Sequence, residues 1–362
     1  MLRVRLATRS SPLALAQAQT VAQAIRALDA GGSARHLPGS ASPGGSSLAA
    51  LGAGPGDDAG AGPGGTSCGT KGGTSGGILV EIVEVETAAD RRLDVPVVEI
   101  AGEGVFVTEV EQAVIDGRAD VAVHSAKDLP SSSPPPGLVL AAVPMRGDPR
   151  DALVGRALDD LAPGGTVATG SVRRRAQLAW LRPDLGFVEL RGNIATRLDR
   201  LPSGGSVVVA KAALDRLGLT ARAAHVLPTM LMLPQVGQGA LALRCREDDE
   251  AILGVLHAID DGASHVALRA ERAFLARVGG GCDAPVGAFA HFEPDEAREP
   301  KGPIPSSSGP PWHQIVLEGL IARADGHVLL RHQAVGDDPE MLGTEVAEAL
   351  LERHGGAGLD LP

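Results

Sequence analysis

Apolar residues along the chain alternate between short unbroken runs and stripes at helical spacing, the pattern of an α/β protein. Val4 to Thr8 reads as a strand. A helix from Pro12 to about Leu28 follows, with Leu15, Ala18, Ala22 and Ile25 on one face, and Ser11-Pro12 suits its start. Ile78 to Val85 predicts a second strand and Val105 to Asp116 a helix. Val121-Ala-Val123 has no helical period, as expected of a parallel strand buried on both faces. After the strand Leu138 to Val143 the unit repeats. Strands at 166–169, 187–190 and 207–210 each open into a helix, at Gly170, Arg191 and Lys211. Further on, a helix from His265 to Arg277 turns Val266, Ala270, Ala273 and Phe274 inward. Ile315 to Ala322 and Val328 to Val335 form a hairpin around Asp325-Gly326, and a helix from Pro339 to Arg353 closes the chain.

Gly31 to Gly77 is dominated by Gly, Ser, Ala and Pro. It holds too little apolar surface to offset its ordering entropy, so a disordered insertion is expected over 31–77. Glu293 to Pro311 is a second Pro/Ser-rich loop. The 362 residues leave room for two or three domains. Arg146 to Asp151 and Pro234 to Gly239 have the polar, Gly/Pro-rich composition of crossings. They divide the chain into a first domain of 1–146 and 235–258, a second of 147–234 and a third of 259–362.

A net charge of −11, with aromatics at 2% and no tyrosine, argues against a nucleic-acid partner, which needs a clustered positive face and stacking platforms. No apolar run nears the roughly 20 residues that cross a bilayer, and Met1 to Thr8 lacks a signal-peptide core. A cytoplasmic protein without a membrane partner is expected. Cys68, Cys245 and Cys282 are too scattered for a disulfide framework or a zinc site. Cys245, at the end of an apolar run, reads as a small core residue.

Candidate chemistry collects at strand ends. Lys127 and Asp128 follow the Val121 strand, where open α/β sheets bind ligands; the alternative is a surface ion pair. Arg9 and Ser11 lie between a strand end and a helix N-terminus, which suits an anion or simply a capped helix. Ser171, Arg173, Arg174, Arg191, Arg197 and Arg216 follow three successive strands. Arginine is suited to bidentate grip of carboxylate or phosphate, so a polyanion pocket is expected there. Ala101 to Phe106 is a glycine-flanked loop that could hinge as a lid. Gly279-Gly-Gly-Cys282 places a thiol on an accessible turn, functional or incidental.

Seven stretches then carry a resemblance. They are Ala7-Thr-Arg-Ser-Ser-Pro-Leu-Ala-Leu15, Val123-His-Ser-Ala-Lys-Asp-Leu-Pro130, Asp148-Pro-Arg-Asp-Ala152, Gly170-Ser-Val-Arg-Arg174, Leu190-Arg-Gly-Asn-Ile-Ala-Thr-Arg197, Leu233-Pro-Gln-Val-Gly-Gln-Gly239 and Gly279-Gly-Gly-Cys-Asp-Ala-Pro285. In this order they resemble the porphobilinogen deaminase (hydroxymethylbilane synthase) family over nearly the whole chain outside 31–77. The resemblance implies two periplasmic-binding-protein-like α/β lobes and a small C-terminal α+β domain carrying the cofactor cysteine. It implies a dipyrromethane cofactor on Cys282 as a thioether. Four porphobilinogen molecules are then added with loss of ammonia, and hydrolysis frees hydroxymethylbilane, a step of tetrapyrrole (haem) biosynthesis.

In that scheme Lys127, Thr169, Ser171, Arg173, Arg174 and Arg197 hold the cofactor, Arg9, Ser11, Arg191 and Arg216 the substrate carboxylates, and Phe106 stacks over the pyrroles. Asp128 is the catalytic group. Among arginines a carboxylate is expected to stay ionised, which favours cation stabilisation over acid catalysis, while an anionic substrate pushes the other way. A monomer acting on a small-molecule substrate is expected. The chain departs from the family at Glu99 and Glu103, where lysines are common, at Ser10, where glutamine is common, and in the 31–77 insertion. Two rivals remain: a two-lobed binding or sensor module for a polycarboxylate or phosphate, and a nucleic-acid protein using Arg173 to Arg175.

Overall fold

A computed structural model describes residues 1–29, 77–87, 107–279, 284–294 and 313–359. The first lobe begins with β1 (Leu2–Arg9), α1 (Pro12–Asp29), β2 (Ile78–Val85), α2 (Thr108–Ile115), β3 (Val121–Ser125) and β4 (Leu138–Ala142). The second holds β5 (Asp151–Gly155), β6 (Thr166–Ala168), α3 (Val172–Leu181), β7 (Gly186–Val188), α4 (Ile194–Asp199), β8 (Ser206–Ala210), α5 (Lys211–Arg216) and β9 (Ala223–Leu227). The chain returns to the first lobe with β10 (Leu241–Arg246) and α6 (Glu250–His257). It ends in α7 (Gly262–Val278), β11 (Val286–Pro294), β12 (His313–Ala322), β13 (Leu329–Gly336) and α8 (Pro339–Glu348).

The first sheet runs β2-β1-β3-β10-β4, with β1 parallel to β2 and β3 and β10 antiparallel to both its neighbours. Val4, Leu6, Val121 and Val123 pack under Val21, Ala22 and Ile25 of α1, with Ile252 and Leu256 of α6. Ala7 and Ala122 face Val110, Ala113 and Val114 of α2 on the other side. Helices on both faces explain why β3 is apolar without a break. Cys245 is buried in this core, as expected. The Asp29 side chain accepts the Ile78 N–H at 2.5 Å, so the residues on either side of the glycine-rich stretch stand together. The stretch itself, apart from Gly77, lies outside the described residues, as does most of the 293–311 loop.

The second sheet, β7-β6-β8-β5-β9, repeats the arrangement: β6 is parallel to β7 and β8, and β5 is antiparallel to β8 and β9. Strands β5, β9 and β11 and helix α6 went unread in the sequence. β5 opens on an aspartate beside a polar crossing, and β9 is interrupted by His225. The strand read over 187–190 stops at Val188, and Leu190 instead joins the lobe core. The third sheet is the antiparallel meander β11-β12-β13, with α7 and α8 sharing its core through Phe274, Leu342 and Val346. The architecture is therefore two α/β lobes plus a small C-terminal α+β domain.

The third domain touches both lobes, the first through Arg272, which donates to the Pro130 carbonyl at 3.0 Å, and the second through two contacts. Gly326, at φ 78°, lets the β12–β13 turn lie so close to α3 that an added Cβ would stand 2.5 Å from the Ala179 Cβ. Arg331 donates to the Thr229 carbonyl at 3.1 Å. Between the lobes two strands of chain run side by side, with the Gly147 N–H bound to the Gly239 carbonyl at 3.1 Å.

Candidate functional site

β3 ends at Ser125 and the chain tightens into a 3-10 turn, Ala126–Asp128. This turn projects Lys127 and Asp128 at the carboxyl end of the sheet. It is gripped from behind. The Ala126 N–H donates to the Ala240 carbonyl at 3.0 Å. Gly237, at φ 71°, approaches so closely that a Cβ there would sit 2.9 Å from the Ala126 carbonyl carbon. Arg272 of α7 donates to the carbonyls of Pro130 and Ser132 at 3.0 and 3.1 Å, pinning the segment beyond.

Arg9, Ser11, His124, Lys127 and Asp128 line one hollow. Ser11 caps α1, its Oγ accepting the Ala14 N–H at 3.3 Å. Burial pushes the Lys127 ammonium down to about 8; Asp128 and Asp151 act against this, and Arg174 and Arg173 reinforce it. The Arg197 guanidinium is also pushed down, by burial and by Arg174, with Asp128 opposing. Lys127 and Asp128 of the first lobe therefore share one electrostatic environment with Arg173, Arg174 and Arg197 of the second.

On the second lobe β6, β7 and β8 are adjacent and parallel, so their ends converge. Ser171 caps α3 by accepting the Arg174 N–H at 3.4 Å, and Thr169 Oγ1 accepts the Ser171 N–H at 3.1 Å. Arg173 and Arg174 are buried rather than open to the cleft. Arg173 donates from Nη2 to Asp151 Oδ2 at 2.8 Å, and Arg174 from Nε to Oδ1 at 2.9 Å. Arg197 donates to the Gly192 carbonyl at 2.7 Å and Arg216 to the Gly239 carbonyl at 2.7 Å. Burial pushes Arg216 down to about 10, against Asp215. Arg191 is exposed and paired with Glu189 at 2.6 Å. Phe106, Cys282, Glu99 and Glu103 lie outside the described residues.

The sequence reading missed Asp151 and Gln238. Asp151 is fully buried and its carboxyl is held below the usual range: burial pushes it up, but Arg173 and Arg174 outweigh that. Gln238 Nε2 donates to Asp151 at 3.0 Å and to the Pro149 carbonyl at 2.7 Å, and its Oε1 accepts from Arg174 at 3.3 Å. A lone carboxylate opening the apolar run Ala152-Leu-Val154 was the available signal. In the wall of the hollow, His124 is buried with Nε2 3.7 Å from Glu111, which itself pairs with buried Arg244. Burial and the Arg244 charge hold this imidazole neutral, down to about 3.

This donor set fits a group with several carboxylates. Lys127, Arg173, Arg174 and Arg197 outnumber Asp128 and Asp151, and the Arg173 Nε is buried with no hydrogen-bond partner among the described residues. Buried cationic donors left in excess are stabilised by an incoming anion.

Comparison with known proteins agrees with this chemistry. Residues 70–254 match the family model described as porphobilinogen deaminase, dipyromethane cofactor binding domain, and residues 266–352 match the porphobilinogen deaminase C-terminal domain. The porphobilinogen deaminase of Roseiflexus sp. is 44% identical over 287 residues, 78% of this chain and 88% of the relative. That of Brevibacillus brevis is 41% identical over 281 residues, covering 76% and 85%. Likeness among solved structures is more distant: a TRAP periplasmic solute binding protein from Desulfovibrio salexigens aligns over 72% of each chain at 11% identity and TM-score 0.36. On the two matched domains and an identity above 40% across most of its length, the chain belongs to the porphobilinogen deaminase family.

Proposed function

We propose that the chain condenses four porphobilinogen molecules head to tail, releasing ammonia at each addition, to give hydroxymethylbilane in tetrapyrrole biosynthesis. Cys282 holds the dipyrromethane cofactor, which supplies the pyrrole carbon from which the product grows. The observation that carries this reading is the half-buried Lys127-Asp128 turn set against the excess of buried guanidinium on the facing lobe.

Each pyrrole brings an acetate and a propionate. Lys127, Arg173, Arg174 and Arg197, with Thr169 and Ser171, neutralise and orient those of the cofactor. Arg9, Ser11, Arg191 and Arg216 receive those of the substrate, and Phe106 covers the rings. Asp128 accepts the pyrrole N–H and balances the positive charge left at the substrate methylene as ammonia departs. A fixed carboxylate in a poorly solvated cleft is most effective where such charge develops. The protein acts as a monomer in the cytoplasm, built from 1–146 with 235–258, 147–234 and 259–362. No helix among the described residues is long and apolar enough to cross a membrane.

Incubation of the purified protein with porphobilinogen should yield bilane, and its intact mass should exceed that of the polypeptide by a dipyrrole. Absence of both would return the chain to the rival reading, a two-lobed polycarboxylate binder.

A further inference from the structure

Asp151 opens the first strand of the second lobe and has no exposed surface. Both its oxygens are taken by the two arginines that follow β6, and Oδ1 also accepts from Gln238 of the returning crossing. One carboxylate thus fixes the guanidiniums of Arg173 and Arg174 relative to each other and fastens them to the chain linking the lobes. It also sets their charge: two buried cations against one anion leave one positive charge, with the Arg173 Nε unused. Lys127 lies within electrostatic reach of the same three groups.

We propose that Asp151 is a positioning residue of the cofactor site, the built-in counter-charge that aims Arg173 and Arg174 and ties their placement to the crossing at Gln238. The inference rests on the proposed function, because it assigns those arginines to the cofactor's carboxylates. Without Asp151, two adjacent buried guanidiniums face each other uncompensated and must turn away or find another anion. The aim of the pair is then lost even where the lobe still folds.

The test compares Asp151→Asn, nearly isosteric and uncharged, with wild type and with Asp120→Asn. Asp120 is also a buried partner of an arginine, Arg5 at 2.6 Å, but it lies outside the described hollow and serves as the control for lost ion pairing alone. Intact mass gives the fraction of chains carrying the dipyrrole, and melting temperature is read with and without inorganic phosphate. Asp151→Asn should show a several-fold smaller loaded fraction. Its lowered melting temperature should recover with phosphate far more than that of Asp120→Asn, which should load normally. An Asp151→Asn protein that loads as wild type does, or whose lost melting temperature phosphate repairs no better than the control's, would overturn the assignment. A wild type without the adduct would instead overturn the functional reading beneath it.

Discussion

Arg146 and Glu271 meet as a double hydrogen bond, Nη1 to Oε1 at 2.6 Å and Nη2 to Oε2 at 3.1 Å, joining the crossing segment to the third domain. Glu271 is fully buried, and its oxygens also accept the N–H groups of Gly237 at 2.7 Å and Ala290 at 2.9 Å. The Arg146 guanidinium lies 5.3 Å from the Phe289 ring centroid. Glu271→Ala orphans a buried guanidinium and two N–H groups. It should cost ~3–5 kcal/mol of stability, read as a lower denaturant midpoint, because breaking a buried pair leaves its partner's charge uncompensated.

Asp128→Asn should keep the melting temperature and the covalent adduct while turnover falls about a hundredfold or more, the scale of losing a charge that acts on the transition state. Steady-state bilane formation measures it. Near-normal turnover would remove Asp128 from the chemistry.

Lys127 carries its positive charge only below about 8. Since kcat/KM follows the ionisation of the free enzyme, it should decline as pH rises through that value, when the ammonium is lost and the cofactor carboxylates lose a partner that orients them. Lys127→Arg, charged throughout, should shift this descending limb upward or abolish it.

His124 gives the opposite limb, in stability. The unfolded chain takes up this proton near 6.5 and the folded chain only near 3. Above 6.5 neither state is protonated and the residue's contribution is fully present. As pH falls from there toward 3 the unfolded state binds the proton first, and stability drains by the order of a few kcal/mol. Burial and the Arg244 charge enforce this, outweighing the Glu111 carboxylate 3.7 Å from the ring. Denaturation of His124→Gln against pH should give a flatter acid limb than wild type.

Replacing residues 30–76 by a short Gly-Ser turn should leave melting temperature and turnover near those of the full chain. Asp29 already binds the Ile78 N–H, and Gly77 accepts the Leu2 N–H at 3.2 Å, so the joint needs little span. A collapse in either measurement would give the segment a function.

By itself the sequence determined the layering and the family, and it marked the strand ends at which the site is proposed. A parallel strand covered on both faces has to be apolar throughout, which marks Val121 to Val123. A helix start needs an oxygen for its free N–H groups, which marks Ser11 and Ser171. Both demands are local and so leave local signals. Only the tertiary structure decided which charge answers which. Arg173 and Arg174 look in sequence like open receptors for a ligand, yet their first partner is Asp151, 22 and 23 positions away, in a strand the pattern did not reveal. Ion pairing acts through space and follows no period along the chain. Whether an arginine is buried against its own protein's carboxylate or turned toward a ligand is therefore settled by packing.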